Sequence, residues 1–267
     1  MIRHAIGALA LAGLTSGAGA QAVSVTFENL LPSGGTAFTP VFFGLSDGSF
    51  DLFDNGSPAS AGLEQVAELG STATLAGEFA AAAPNGLSAT TSTGPIVGGG
   101  SASVDFNVTN PADARFLSFA SMVVPTNDLF IGNGNNVAFE VFDAMGNFNG
   151  PQTITLFGTN VYDAGTEVNN ADNGAAFLAG IDATQGEAEG GDVSLFISDP
   201  GYIAYLDSLV GRTTAPGFVI ESTFSQQTPI ARITIVPAPG ALAIAPLAGL
   251  AMDDFDPNER VECIGYY

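Results

Sequence analysis

Apolar and polar positions alternate with period two at both ends of the chain's main body. Val23, Val25 and Phe27 interleave with Ser24, Thr26 and Glu28, as in a strand with one buried face. Ser103 to Val108 repeats the pattern, with Val104, Phe106 and Val108 facing inward. Ala114 to Val124 breaks it: Phe116, Phe119 and Met122 lie in an almost unbroken apolar run, which predicts a central strand buried on both faces. Phe38 to Leu45, Val137 to Phe142 and Thr153 to Phe157 predict further strands, and Phe218 to Phe224 and Ile230 to Val236 close the set. Turn-forming clusters separate them at Leu31-Pro-Ser-Gly-Gly35, Asn110-Pro-Ala-Asp113 and Asp143-Ala-Met-Gly-Asn147, and Ala89 to Pro95 and Val97 to Gly100 are expected to be loops. Helical spacing is confined to one region. Ser60 is an N-cap, Leu63, Val66, Ala67 and Leu69 share a face, and Gly70 stops the helix. A second short helix is expected over Ala73 to Ala82. Short strands separated by turns, with one or two short helices, predict an all-β antiparallel sandwich.

The ends of the chain have a different texture. Residues 1–20 carry Arg3 and His4, an apolar core from Ile6 to Leu14 and the small-residue site Ala18-Gly-Ala20, the pattern of a secretory signal peptide. Residues 21–236 then form the sandwich domain. Residues 237–267 begin with Pro237 and Pro239, continue through the apolar Ala241 to Met252, and end in an acidic tail with Asp253, Asp254 and Asp256.

Charge narrows the function. The formal net charge is −22, with 27 acids, five Arg and no Lys. Nucleic acid is excluded as a partner, because phosphate contacts need Lys or Arg. Anionic membrane surfaces repel such a chain, and no strong membrane association is expected. Cleavage after residue 20 would remove His4, the one His, and Cys263 is the one Cys. That excludes Ser-His-Asp and Cys-His catalysis, His/Cys zinc sites and Schiff-base lysines. What remains for catalysis is paired carboxylates and Tyr, as in a glycosidase, so a secreted carboxylate hydrolase is one open alternative. A metal-free structural surface protein is another.

Two segments hold the candidate chemistry. Asp163-Ala-Gly-Thr166 is a tight turn, since Asp can bond its own backbone two residues on and Gly supplies a positive φ. The turn carries Asp163 and Glu167 towards one point. Asp128 follows the turn-forming Pro125-Thr-Asn127 and precedes Leu129, Phe130 and Ile131. Carboxylates on such loops serve either as plain turn formers or as oxygen ligands for a hard cation, of which calcium tolerates irregular geometry best. The Gly- and Asp-rich stretch 169–192 begins beside them and offers Asn169, Asn170 and Asp172 as further oxygen donors.

These segments, Ser121-Met122 with Thr126-Asn-Asp128, Phe130 and Gly132, and Tyr162-Asp-Ala-Gly-Thr-Glu167, resemble the paired signatures of the spondin domain in its bacterial secreted branch. Further matches are Phe50-Asp-Leu-Phe53, Gly62-Leu63-Glu64 and Pro229-Ile-Ala-Arg-Ile-Thr-Ile235, over roughly residues 22–236. The resemblance implies a C2-like β-sandwich with one Ca2+ held in loops at one end. It places the metal-ligand carboxylates at Asp128, Asp163 and Glu167. It also implies a non-enzymatic extracellular matrix or adhesion module, whose partner would be an extracellular protein or polysaccharide. Val236-Pro-Ala-Pro239 resembles the start of the PEP-CTERM sorting signal, in degenerate form, with Ala238 in place of the usual Glu and no basic cluster after the apolar segment.

Overall fold

A computed structural model describes residues 21–92 and 94–238; residues 1–20 and 239–267, which hold the signal-peptide expectation and most of the sorting-signal one, lie outside the described residues. The chain runs through β1 (Gln21–Asn29), β2 (Ala37–Phe38), β3 (Phe42–Ser46), α1 (Ala61–Leu69), α2 (Ala73–Ala82), β4 (Leu87–Thr90), β5 (Ser101–Val108) and β6 (Phe116–Val124). It continues through β7 (Leu129–Gly132), β8 (Gln152–Phe157), β9 (Val161–Asp163), β10 (Ser194–Leu195), α3 (Tyr202–Leu209) and β11 (Pro229–Pro237). One sheet has the order β5-β1-β11-β8; the other has β10-β9-β7-β6-β3-β4, with β2 on β6. All paired strands are antiparallel. The fold of the described residues is an all-β sandwich with three short helices.

The apolar patterns explain the layering. The four-stranded sheet turns Val23, Val25, Phe27, Ile233 and Ile235 inward against Phe43, Leu117, Phe119 and Leu129 of the second sheet. Its outer face is wet, which is why β1 and β5 alternate. The second sheet is covered on both sides. Phe42, Ala120 and Phe130, each adjacent in sequence to a sandwich-core residue, point the other way onto Leu63, Val66 and Phe79 of the helices. Hence β3, β6 and β7 are buried at every position, as the unbroken run at Ala114 to Val124 predicts.

Helix α1 begins and ends where its sequence directs. Ser60 Oγ accepts the Leu63 N–H at 3.1 Å, and Gly70 adopts the left-handed conformation at φ 66, where a Cβ is costly. Leu63 and Val66 are fully buried, each stabilising the fold by about 1.5–3 kcal/mol. Ser60→Ala would remove the cap and about 1 kcal/mol.

Several expectations are corrected. Phe38 to Leu45 is two strands, because Pro40 has no N–H to give a ladder. Val137 to Phe142 forms no regular strand: it wraps the start of β6 through Leu117 N–H to Phe139 O and Val141 N–H to Arg115 O, and Val141 and Phe142 plug the core singly. Phe218 to Phe224 does not close the sandwich. It follows a hairpin at Thr214 to Phe218, in which Gly217 takes φ 93, and it leaves Phe218 63% exposed. Residues 89 and 90 belong to β4 rather than to a loop. Helix α3 was not anticipated, although Tyr205, Leu206 and Leu209 mark its buried face.

Candidate metal centre

The site lies where the β6–β7 turn meets the segment after β9. Thr126 tightens the first turn, with its hydroxyl bonded to Val123 O and accepting the Leu129 N–H. Asp128 leaves that turn fully buried. One of its oxygens is well satisfied: Oδ2 accepts from Thr166 N at 2.8 Å, Thr166 Oγ1 at 3.2 Å and Glu167 N at 3.0 Å. The other, Oδ1, is buried with no hydrogen-bond partner among the described residues.

Asp163 closes the turn expected from its sequence. Its Oδ1 accepts the Gly165 N–H at 2.8 Å, and Gly165 takes φ 69. Asp163 Oδ2 accepts from Asn169 Nδ2 at 2.5 Å, and Asn169 Oδ1 is the second buried oxygen left without a partner. Asp128 and Asp163 are close enough to repel. Burial first, and then the Asp163 charge, holds the Asp128 carboxyl well above the ordinary carboxylate range. Burial likewise raises Asp163, with Asp199 adding to it.

Glu167 turns elsewhere. Its backbone N–H serves Asp128, but its carboxylate lies 3.4 Å from Asn127 Nδ2 and against Gly174 and Gly186, where any Cβ would collide with it. Burial pushes its pKa up to about 7, with Glu68 and Glu64 of α1 contributing and Asn127 opposing. The structure thus brings Asp128, Asp163 and Asn169 together and leaves the Glu167 carboxylate beside Asn127. Among the described residues no three acidic, His or Cys side chains group as a metal cage. Any cation here takes two carboxylates plus neutral oxygen.

Asn127 and Tyr205 hold the arrangement and were missed by sequence reasoning. Asn127 accepts from Asn170 N at 2.9 Å and from the Tyr205 hydroxyl at 2.7 Å, donates to Asn173 O at 2.8 Å, and gives its backbone N–H to the same hydroxyl at 2.9 Å. One amide therefore ties the β6–β7 turn, the 169–173 loop and α3. Asn127 was visible as a turn former; nothing local marks Tyr205. Asn170 and Asp172 do not join the centre. Asn170 caps its own turn onto Asp172 N, and Asp172 pairs with Arg212 at 2.6 Å.

Among the described residues no base neutralises the carboxylates. The Arg residues among those described are Arg115, Arg212 and Arg232, and they pair with Glu140, Asp172 and Glu28. An adjoining cavity of about 360 Å3 opens to solvent past Asp163, Asn169, Glu189 and Asp199. It is an acidic approach, in which Glu189 is raised by burial and then by Asp163 and Asp199. Two buried carboxylates, an orphaned carboxylate oxygen, an orphaned amide oxygen and an acidic mouth fit a hard cation with oxygen ligands.

A search among curated proteins finds no match. The Spondin_N family model matches residues 23–188, more than half of the chain. The matched span runs from β1 through Asp128, Asp163, Glu167 and Asn169 and stops before α3 and β11, short of the Pro229–Ile235 resemblance. With the sandwich, the carboxylate turns and that match together, the chain belongs to the Spondin_N family.

Proposed function

We propose that this chain is a secreted calcium-binding module of an extracellular matrix or adhesive surface. One observation carries the metal: Asp128 Oδ1 is fully buried beside Asp163 with neither a hydrogen bond nor a base among the described residues. A buried carboxylate left in that state is costly, and two together are costlier still. Asp128, Asp163 and Asn169 would hold the ion, and the ion would supply the missing positive charge between the β6–β7 turn and the turn after β9. Calcium therefore acts as a structural tie across the loop end of the sandwich. The acidic surface, the signal-peptide pattern and the family support an extracellular setting.

Turnover is not expected. Asp128 is closed to solvent, so the pair does not flank an open cleft as glycosidase carboxylates do. Thermal melts in millimolar calcium and in chelator test the reading. At 10 mM calcium and a Kd of about 10⁻⁴ to 10⁻³ M, typical of extracellular modules, the gain is about 1.4–2.7 kcal/mol. Superimposable melts would leave the metal-free structural protein as the better description.

A further inference from the structure

A second cavity, of about 340 Å3, opens beside Tyr162. Two aromatic pairs wall it. Phe53 and Tyr162 meet edge to face with ring centroids 4.7 Å apart, and Phe119 and Phe139 lie 6.0 Å apart. Amides rim it: Asn55, Asn135 and Asn160. Two of these are already fixed by the backbone. Asn160 Oδ1 accepts the Phe157 N–H at 2.8 Å, and Asn135 Oδ1 accepts the Val137 N–H at 3.0 Å. Each is therefore held with its NH2 as the group left to offer, and the exposed Asn55 adds a third amide. Tyr162 is half-buried, and burial alone raises the pKa of its hydroxyl.

The absence of charge is as informative as the aromatics. No Asp, Glu or Arg lines this cavity, in a chain where acids outnumber bases 27 to five. A charged ligand would find no ion pair there. A purely apolar one would leave amides and a phenol desolvated without partners, which opposes binding. A pyranose ring meets both requirements: its C–H face lies on an aromatic ring, and its hydroxyls accept from and donate to amides. The volume falls at the small end of ordinary ligand pockets. We propose that this cavity binds a neutral sugar unit of an extracellular polysaccharide. The proposal rests on the extracellular-module reading for the source of the sugar; the metal does not enter it.

The test is calorimetric titration of the full chain, in calcium, with neutral cello-, malto-, laminari-, xylo- and chito-hexaoses, and with polygalacturonate as the charged probe. At least one neutral hexaose should bind with micromolar to millimolar Kd, and polygalacturonate should not. Asn55→Ala and Tyr162→Phe should each weaken binding by about fivefold or more, the loss of one hydrogen bond. Their calcium-dependent melting should match the parent, which shows that the fold is intact. Because Asn55 is exposed, its substitution tests the site even if Tyr162→Phe disturbs packing. Calcium stabilisation with no hexaose binding would overturn this inference and leave the metal reading standing. Hexaose binding without calcium stabilisation would do the reverse. Binding that ignores both substitutions, or binding of polygalacturonate alone, would also overturn it.

Discussion

Tyr162 and Asp163 are neighbours on one strand and belong to opposite kinds of chemistry. Asp163 pairs across the sheet with Leu129, a sandwich-core residue, and faces the buried carboxylates; Tyr162 pairs with Phe130 and stacks on it at 5.7 Å on the helix-covered side. Successive strand residues point to opposite faces, so β9 separates a charged centre from a neutral one. The charged side is satisfied only in part by the protein, with Asp128 Oδ1 and Asn169 Oδ1 left without partners among the described residues; on the proposed reading an ion supplies the rest. On the neutral side an aromatic cluster is complete in itself, and its polar edge is open. Substitutions on the first side should therefore move stability and calcium dependence together. Removing a polar group on the second, with the aromatic packing kept, should move neither.

The largest effect is expected at Asp128. Asp128→Asn keeps the shape but removes the charge proposed to hold calcium. The calcium gain of about 1.4–2.7 kcal/mol should vanish, corresponding to several degrees in Tm for a domain of this size. In chelator the variant should melt at or above the parent, since a buried like charge is gone. Scanning calorimetry with and without calcium decides it. An undiminished calcium shift would mean that the ion binds elsewhere.

Tyr205→Phe is next. Its hydroxyl serves both the Asn127 N–H and Asn127 Oδ1, so its loss strands a buried donor at a cost of about 1–3 kcal/mol. Calcium affinity should fall as the 169–173 loop loosens, but calcium should still stabilise. Denaturant titration in calcium and in chelator separates the two effects. A variant as stable as the parent would remove Tyr205 from the network.

How much of this division was legible is clearest at particular residues. Ser60 to Gly70 and Ala73 to Ala82 were, because caps and helical spacing are local. So was the doubly buried β6, because covered faces leave no polar positions. Val137 to Phe142 and Phe218 to Phe224 were not. Their apolar residues plug or decorate the surface one at a time, and a strand is decided by what lies alongside it. At the centre, Asp128 and the Asp163 turn were legible from turn chemistry. The direction of the Glu167 carboxylate was not, because it is set by the bare backbone of Gly174 and Gly186.

The Glu167 carboxylate is expected to give a smaller effect, read through pH. Burial holds Asp128 and Asp163 above the ordinary carboxylate range and pushes Glu167 up to about 7. The native chain thus binds more protons than the unfolded one from roughly pH 4 up to those raised values. Stability must fall as pH rises through that window. Calcium favours the ionised forms of Asp128 and Asp163 and should cancel their part. The Glu167 part should persist in calcium up to about pH 7 and disappear in Glu167→Gln, with the calcium shift retained. Melts at pH 5, 6, 7 and 8 read this directly. Loss of the calcium shift in Glu167→Gln would make Glu167 a ligand, as the family resemblance implies, and would require its side chain to swing away from Asn127.

The smallest stability effect is expected one residue before Asp163. Tyr162 keeps its ring in the cluster with Phe53 and Phe130, so Tyr162→Phe preserves the packing and removes only the hydroxyl. Burial raises the pKa of that hydroxyl, and no hydrogen bond opposes the shift, so the folded protein gains little from it. Removing it should change stability by no more than about 0.5 kcal/mol, as at a site with no lost partner, and should leave the calcium shift unaltered. Hexaose affinity should nonetheless drop, because Tyr162 lines the cavity and the proposal gives its phenol a sugar hydroxyl to bond. Chemical denaturation and calcium melts of Tyr162→Phe beside Asp163→Asn make the contrast direct: adjacent residues, one silent in stability and active in sugar binding, the other the reverse. If Tyr162→Phe abolished the calcium shift, the two faces of β9 would be one coupled site, and the separation drawn between them would fail.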